Sequence, residues 1–335
     1  QEKANAAGFL YAGDPCSAES CLIGGNIATN AGGNKAVRYG VTRDQVYAVE
    51  VVTPTGEIVE LGARLKKKST GYCLEQLIMG SEGTLGIITK ATLKLQPIPP
   101  YRFDLLAVFS DPEQALDVVP KIMQAGINPT SVEYMDTAEY LEFKGAPHYE
   151  NGIYVIITVE TFSEDELDLK MEQLDELCSA AGAVDVLEAD ERIWDMRRNC
   201  QESVRLISLV SLTDDVVVPV NEIAGTIKFI MKIGEKYPFP VKINAHIGDG
   251  NLHIVLCKCE LSDEEWENKV EAFHKEVYTY AYSIGGRLAG EHGIGAKKLR
   301  EMETYTPAGE LAIMRTIKAA MDPQLILNPG KIFDL

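Results

Sequence analysis

The sequence predicts an α+β protein built in parts, and three observations lead there. Residues 1 to about 98 are rich in glycine and in β-type runs. At Pro97-Ile98-Pro99-Pro100 the chain stiffens, which marks a boundary. From residue 103 to 188 the elements run β-α-β-β-α-β, the ferredoxin-like order, which predicts an antiparallel sheet covered by helices on one face. The expected divisions are a first domain over 1–98, a substrate or cap domain over 99–260, and a C-terminal helical segment over 261–335 that returns to the first domain.

In the first domain, four glycines fall within ten positions in Gly24-Gly25-Asn26-Ile27-Ala28-Thr29-Asn30-Ala31-Gly32-Gly33. Such a glycine-rich turn lets backbone amides approach a bulky or anionic ligand, or simply packs tightly on a sheet. Its spacing is neither a GxGxxG fingerprint nor a P-loop. Residues 46–53 and 57–61 are β-type runs split by Pro54-Thr55-Gly56, hence a hairpin. Gly80-Ser81-Glu82-Gly83-Thr84-Leu85-Gly86 places more glycines beside an apolar run, and a strand follows at 91–95.

In the second domain, strand 103–109 precedes a helix with Asp111 as its cap, Pro112 at its first position and Gly126 as its stop. Strands follow at 131–135 and 153–159. A second helix starts at Ser163 and buries Leu167, Met171, Leu174 and Cys178, and strand 184–188 closes the motif. Residues 190–204 read as helical and carry Arg192, Arg197 and Arg198, with Arg205 just beyond. These are solvated, unless one guanidinium faces the sheet, where it would suit a carboxylate. A strand at 216–218, a helix from 221 to about 236 and a long helix boxed by Ser262 and Glu265 complete the reading. Trp266, Val270, Phe273, Val277 and Tyr280 form the buried stripe of that long helix, and His274 within it is structural.

The chemistry is expected at residues 246–253. The run before His246 alternates like a strand, Gly248-Asp249-Gly250-Asn251 is turn chemistry, and a second strand starts at Leu252. If Ile247 and Leu252 close the hairpin, His246 and His253 face each other with Cβ atoms about 4.5–5.5 Å apart. That spacing lets two imidazoles share a cation, or leaves them as hydrogen-bonded groups on a sheet. Scarcity favours the cation: of five histidines, three lie here and in Gly290-Glu291-His292-Gly293. Glu291 would complete a partial shell, with His292 as a base.

Composition removes several classes. With 50 acidic against 32 basic residues the net charge is −18, which argues against nucleic acid or an anionic membrane as main partner. No apolar run approaches the roughly 20 residues that span a bilayer, and no signal-peptide pattern is present. The cysteines Cys16, Cys21, Cys73, Cys178, Cys200, Cys257 and Cys259 contain no C-x2-C pair, so reduced thiols in a cytoplasmic protein are expected. Cys257 and Cys259 read as small hydrophobes on one side of a strand. The chain opens on Gln1 without a methionine and reads as a piece of something longer.

The glycine stretches at 24–33 and 80–86, the histidine segment 246–253, Gly290-Glu291-His292-Gly293-Ile294-Gly295 and Asn328-Pro329-Gly330-Lys331 occur in this order. Together they resemble the FAD-dependent D-2-hydroxyacid dehydrogenases of the vanillyl-alcohol-oxidase superfamily. That family holds D-lactate dehydrogenases, glycolate oxidase D subunits and D-2-hydroxyglutarate dehydrogenases. The resemblance covers essentially the whole chain. It implies a PCMH-type second subdomain of the FAD-binding domain over residues 1–98, with Gly24, Gly25, Asn30, Gly32, Gly33, Gly83, Thr84 and Ile88 lining the FAD and Asn328 near the flavin. It implies that His246, His253 and Glu291 hold a divalent metal, zinc or another first-row ion. It implies that His292 takes the substrate hydroxyl proton and Arg197 grips the substrate carboxylate.

Two departures qualify the resemblance. Family members begin with a smaller subdomain whose glycine-rich loop binds the FAD pyrophosphate; no stretch here matches it, and a chain without it is expected to hold FAD weakly. The 2-hydroxyglutarate enzymes carry a lysine where this sequence has Thr213-Asp214-Asp215, so a monocarboxylate such as D-lactate or glycolate is the expected substrate. Electrons would pass to an electron-transfer flavoprotein, an iron–sulfur subunit or quinone, a route that would bring the protein to a membrane only through a partner. The rival readings are a non-catalytic or apo subunit of an FAD-linked oxidase complex, and an alkyl-glycerone-phosphate-synthase-like branch. The latter wants a histidine-rich run that this sequence lacks.

Overall fold

The structure, a computed structural model, describes residues 1–18, 20–136, 149 and 152–334, without the side chains of 200–203, so the reading of Cys200 lies outside the described residues. The chain forms two compact units. One holds Gln1–Ile98 with Leu288–Leu335, and the other holds Pro99–Arg287. The first boundary falls where the proline-rich exit places it. The second falls at 287/288 rather than 260/261, because helix Asp263–Ser283 belongs to the second unit. That helix buries Val270, Phe273, Val277, Tyr278 and Ala281, and its Tyr280 stacks on Phe229 of helix Ile223–Gly234.

In the first unit, short strands β1 (Phe9–Leu10), β2 (Val46–Val52), β3 (Ile58–Gly62), β4 (Ile87–Leu93) and β5 (Gln96–Pro97) form two antiparallel sheets, β1-β5 and β3-β2-β4. The expected hairpin is β2–β3, with Val52 opposite Ile58. The glycine stretch at 24–33 is not a plain turn. Helix Ile23–Thr29 runs through Gly24 and Gly25 and ends at Asn30, whose φ is 55°. Glycine disfavours helix, but Ile27 is buried with Val46, Val49, Val51 and Ile78 in this unit's core, and that packing sets the helix.

In the second unit, β6 (Tyr101–Phe109), β7 (Ser131–Met135), β8 (Ile153–Thr161) and β9 (Asp185–Glu188) take the order β7-β8-β6-β9. This is the ferredoxin-like arrangement. Asp111 accepts from the Glu113 amide and Ser163 from that of Glu166, which starts the two helices as the sequence predicts. The sheet then continues past β7 through β11 (Val241–His246), β12 (Asn251–Cys257) and β10 (Ser211–Val217), all antiparallel. Helices Pro112–Gln124, Glu164–Ala180, Ile223–Gly234 and Asp263–Ser283 cover one face. The opposite face is covered as well: helices Glu191–Arg198 and Cys200–Ile207 bury Ile193, Trp194, Met196 and Val204 against Leu106, Met135, Ile156 and Val255.

Two smaller readings change. Thr213-Asp214-Asp215 lies inside β10 and not ahead of it, so alternation sends Asp214 and Asp215 to opposite faces, both buried. Strand β12 ends at Cys257; Cys259 lies beyond it, exposed, with φ 49°. The described cysteines are free, and burial pushes the Cys178 thiol up to about 12.

Candidate active site

Pairing of β11 with both β12 and β7 builds a polar row across the second unit. A period of two puts Asn244 and His246 on one face of β11. Their partners follow: His253 opposite Asn244, Asn251 opposite His246, Glu133 on β7 opposite His246, and Asp215 on β10 opposite His253. The hairpin closes one residue earlier on each strand than the sequence suggests, at His246 and Asn251. Ala245, not Ile247, pairs with Leu252, so the two histidines sit diagonally, with ring centroids 5.3 Å apart at 81°. The His246 carbonyl accepts from the Asp249 and Gly250 amides, which closes the turn. A side chain at Gly250 is ruled out, because its φ is 93° and a Cβ would lie 2.1 Å from the Val218 carbonyl oxygen.

Behind this row sits a buried ion cluster. Glu133 is fully buried, and Arg197, from helix Glu191–Arg198, is 2% exposed. Glu133 Oε2 accepts from Arg197 Nε at 2.8 Å and lies 2.6 Å from an Arg197 Nη. Glu133 Oε1 lies 2.9 Å from His246 Nδ1. Burial pushes the Glu133 carboxyl up, but His246 and Arg197 beside it outweigh that and hold it below its usual value. Arg197, the expected grip for a substrate carboxylate, meets Glu133 through Nε and Nη2, two of the three nitrogens of its planar fork. Arg192 and Arg198 are surface residues paired with Asp190 and with Glu191 and Asp195. Asp215 accepts from the Asn251 side-chain amide at 2.5 Å, and Asn244 is fully buried with no hydrogen-bond partner at either amide atom. On the other face, Asp214 Oδ2 lies 3.6 Å from His274 Nε2, which keeps His274 structural.

The first unit gathers its own cluster. Asn30, Gly32, Gly83, Asn328 and the 291–295 segment converge there. Asn30 Oδ1 accepts from the Arg43 amide at 2.9 Å, and Asn328 Nδ2 donates to the Glu82 carbonyl oxygen. A Cβ on Gly32 would stand 2.9 Å from Glu291 Oε2, and one on Gly33 (φ 132°) would stand 2.1 Å from the Asp14 carbonyl oxygen. Thr84 is buried, its hydroxyl donates to the Ser81 carbonyl, and its own carbonyl accepts from buried Lys318. Ile88 packs on the core beside β2. Gly24 and Gly25 lie on the exposed side of their helix with open space where a Cβ would be. Glu291 is nearly buried, and His292 beside it has a half-exposed side chain, with Nε2 3.8 Å from Glu291 Oε1.

Sequence reasoning missed two acids. Glu133 is the one charged residue in the apolar run of β7, and that interruption was its signal. Glu82 has φ 51°, and its carboxylate accepts from the Ile294 and Gly295 amides at 2.7 and 2.8 Å, tying two glycine loops together.

The residues suit the groups the motifs imply. Two imidazoles, one of them held through Nδ1 by Glu133, are donors that first-row divalent ions accept. Side-chain-free backbone at Gly24 and Gly25 leaves room for a flat or anionic group.

Comparison with known proteins bears on the flavin. Residues 98–332 match the family described as FAD linked oxidases, C-terminal domain, and residues 1–62 match one described as FAD binding domain. The chain is 39% identical over 349 residues to a protein named D-lactate dehydrogenase from Anaerostipes hadrus, a match covering 99% of this chain and 73% of that one. It is 35% identical over 336 residues to "Glycolate oxidase subunit GlcD" of Bacillus subtilis (strain 168), covering 97% and 71%. Among solved structures, p-cresol methylhydroxylase with substrate bound superposes with a TM-score of 0.75 at 16% identity, covering 99% of this chain and 73% of that one. Alkyldihydroxyacetonephosphate synthase gives 0.70 at 19%, covering 98% and 62%, and these two likenesses speak for the fold.

The architecture is that of the PCMH-type flavoproteins. The chain belongs to the FAD-linked oxidase family: it is an oxidoreductase, and its cofactor is FAD. Among the described residues no helix is long and apolar enough to cross a membrane.

Proposed function

We propose that this protein oxidises a D-2-hydroxy monocarboxylate, D-lactate or glycolate, to the 2-oxoacid, assisted by a divalent metal. The names of its relatives support the substrate class, since they include a D-lactate dehydrogenase, a glycolate oxidase subunit and a D-2-hydroxyglutarate dehydrogenase. His246, His253 and Glu291 would hold the metal, zinc or another first-row ion. The observation that carries this assignment is the histidine pair on one buried sheet face, 5.3 Å between ring centroids.

FAD, when bound, supplies a hydride acceptor, and a metal supplies positive charge beside the substrate oxygens. Gly24, Gly25, Asn30, Gly32, Gly33, Gly83, Thr84, Ile88 and Asn328 would line the flavin nucleotide. The remaining work falls to side chains. His292, half-exposed and not part of the core, takes the proton from the C2 hydroxyl as the C–H bond breaks. The sheet's apolar backing keeps water from the histidine row, which strengthens every charge interaction there. A monocarboxylate is favoured because β10 offers acid and no lysine near His253. Electrons leave to a protein partner or to quinone.

The test is turnover of D-lactate, glycolate and D-2-hydroxyglutarate by the FAD-loaded protein with a dye acceptor, beside metal content by elemental analysis. Oxidation of either monocarboxylate, lost on chelation, is the expected result. Turnover of 2-hydroxyglutarate alone overturns the substrate assignment, and full activity without metal overturns the ligand assignment. A flavin-loaded protein inert to all three acids favours the assembly-subunit reading.

A further inference from the structure

We propose that Glu133 is a positioning residue for His246: its carboxylate fixes the imidazole in the Nδ1–H tautomer, so that Nε2 is the atom offered to the metal. The inference rests on the metal reading of His246 given above. It uses only atoms of the second unit.

Two groups meet His246 Nδ1. Glu133 Oε1 stands 2.9 Å away and Arg197 Nη2 3.4 Å away. The two neighbours ask for opposite tautomers. A guanidinium can only donate, so an Arg197 contact would leave Nδ1 without its proton and put that proton on Nε2. A carboxylate can only accept, so the Glu133 contact requires Nδ1–H. The acid contact is the shorter by half an ångström, within normal hydrogen-bond range, and it is charge-assisted. The arginine contact is at the edge of that range. Glu133 therefore decides the tautomer. Arg197 decides Glu133: with Nε and Nη2 both on Oε2, it anchors the carboxylate through the oxygen that His246 does not use.

Burial adds to the argument. Glu133, Arg197 and His246 are each 2% exposed or less, so solvent does not compete for any of these atoms. A carboxylate placed at such cost in an apolar strand interior has a job that packing alone does not explain. Backbone pairing carries the arrangement, because Glu133 lies directly opposite His246 in the β7–β11 ladder. Outer carboxylates of this kind orient metal-bound imidazoles and typically change metal affinity by about 10–100-fold when removed.

The experiment reads the ring itself. In the metal-free full chain labelled with 15N-histidine, a long-range 1H–15N spectrum reports which nitrogen carries the proton; His246→Gln assigns the signals. The wild-type protein is expected to show protonated Nδ1 and bare Nε2 at His246. Protonated Nε2 there overturns the proposal before any variant is made. In Glu133→Gln the preference is expected to weaken, with zinc affinity, measured by competition against a chelator, falling about 10–100-fold. A Glu133→Gln protein that only melts earlier, with tautomer and zinc affinity unchanged, makes the acid a structural residue and overturns the proposal. Wild-type protein that keeps the Nδ1–H tautomer and binds no zinc overturns the metal reading while leaving the tautomer assignment standing.

Discussion

The two units build their candidate sites by opposite means. In the first, backbone does the work: glycines at 32 and 33 bring chain segments together where side chains would collide, and the Glu82 carboxylate accepts from two amides of the 291–295 loop. In the second, side chains do it. A row of histidine, asparagine and acid lies across four strands, held by an ion cluster that solvent barely touches. A backbone-built site fails through steric strain, whereas a charge-built site fails through an uncompensated charge. The two failures differ in size and in which measurement sees them.

The largest effect is expected from Arg197→Met, which leaves Glu133 buried without its cation. Losing one partner of a buried pair costs about 3–5 kcal/mol, and urea unfolding should show it. A loss under about 1 kcal/mol, the scale of an exposed pair, would mean that water reaches the cluster. Next is Gly33→Ala in the first unit. Its backbone conformation alone costs an alanine about 1–3 kcal/mol, and a methyl group 2.1 Å from the Asp14 carbonyl oxygen adds to that. Thermal melting and FAD retention should fall together. Gly25→Ala sharpens the contrast, because the same glycine-to-alanine change is expected to help folding there. The position is helical, exposed and open, so a methyl group gains up to about 1 kcal/mol. Weaker FAD binding at unchanged or higher melting temperature would mark Gly25 as open for the ligand.

A further effect is read in acid. Burial pushes Asp322 up, but Lys318 and the Leu327 and Ile326 amides hold its carboxyl below the usual value. Its folded-state pKa is depressed, so its contribution is complete above the unfolded value, near 4, and disappears as pH falls through the lower folded one. Lys318→Met should lower stability near neutrality and flatten the acid limb of the stability-against-pH curve below about pH 4, so that the two proteins converge as pH falls.

The same contrast explains what was legible. Local signals carried far: Asp111, Ser163 and Ser262 cap the helices they were expected to start. The β-α-β-β-α-β run gave the sheet order, because alternating patterns and caps are properties of neighbouring residues. Parity also survived in the histidine hairpin, since a two-residue shift in closure keeps both rings on one face. Long-range pairing was not legible. Glu133 and His246 are 113 positions apart and meet because β11 joins the ferredoxin-like sheet at β7. No local pattern states that edge. The Arg197–Glu133 pair was hidden for the same reason: the two lie 64 positions apart. The Ile23–Thr29 helix was hidden differently, because two glycines argued locally against what Ile27's burial imposes.

The first unit is interrupted in sequence by the second, and this bears on the order in which the chain can mature. Its β2, β3 and β4 leave the ribosome early, but the segment supplying Ile294, Lys318 and Asn328 comes only after residue 287. At about 5–20 residues per second the gap lasts on the order of tens of seconds. Through that interval the inserted unit can finish folding alone, while Val46, Val49 and Val51 wait without Ile317 and Met321. Nascent chains stalled before residue 288 should therefore draw chaperones to their N-terminal third.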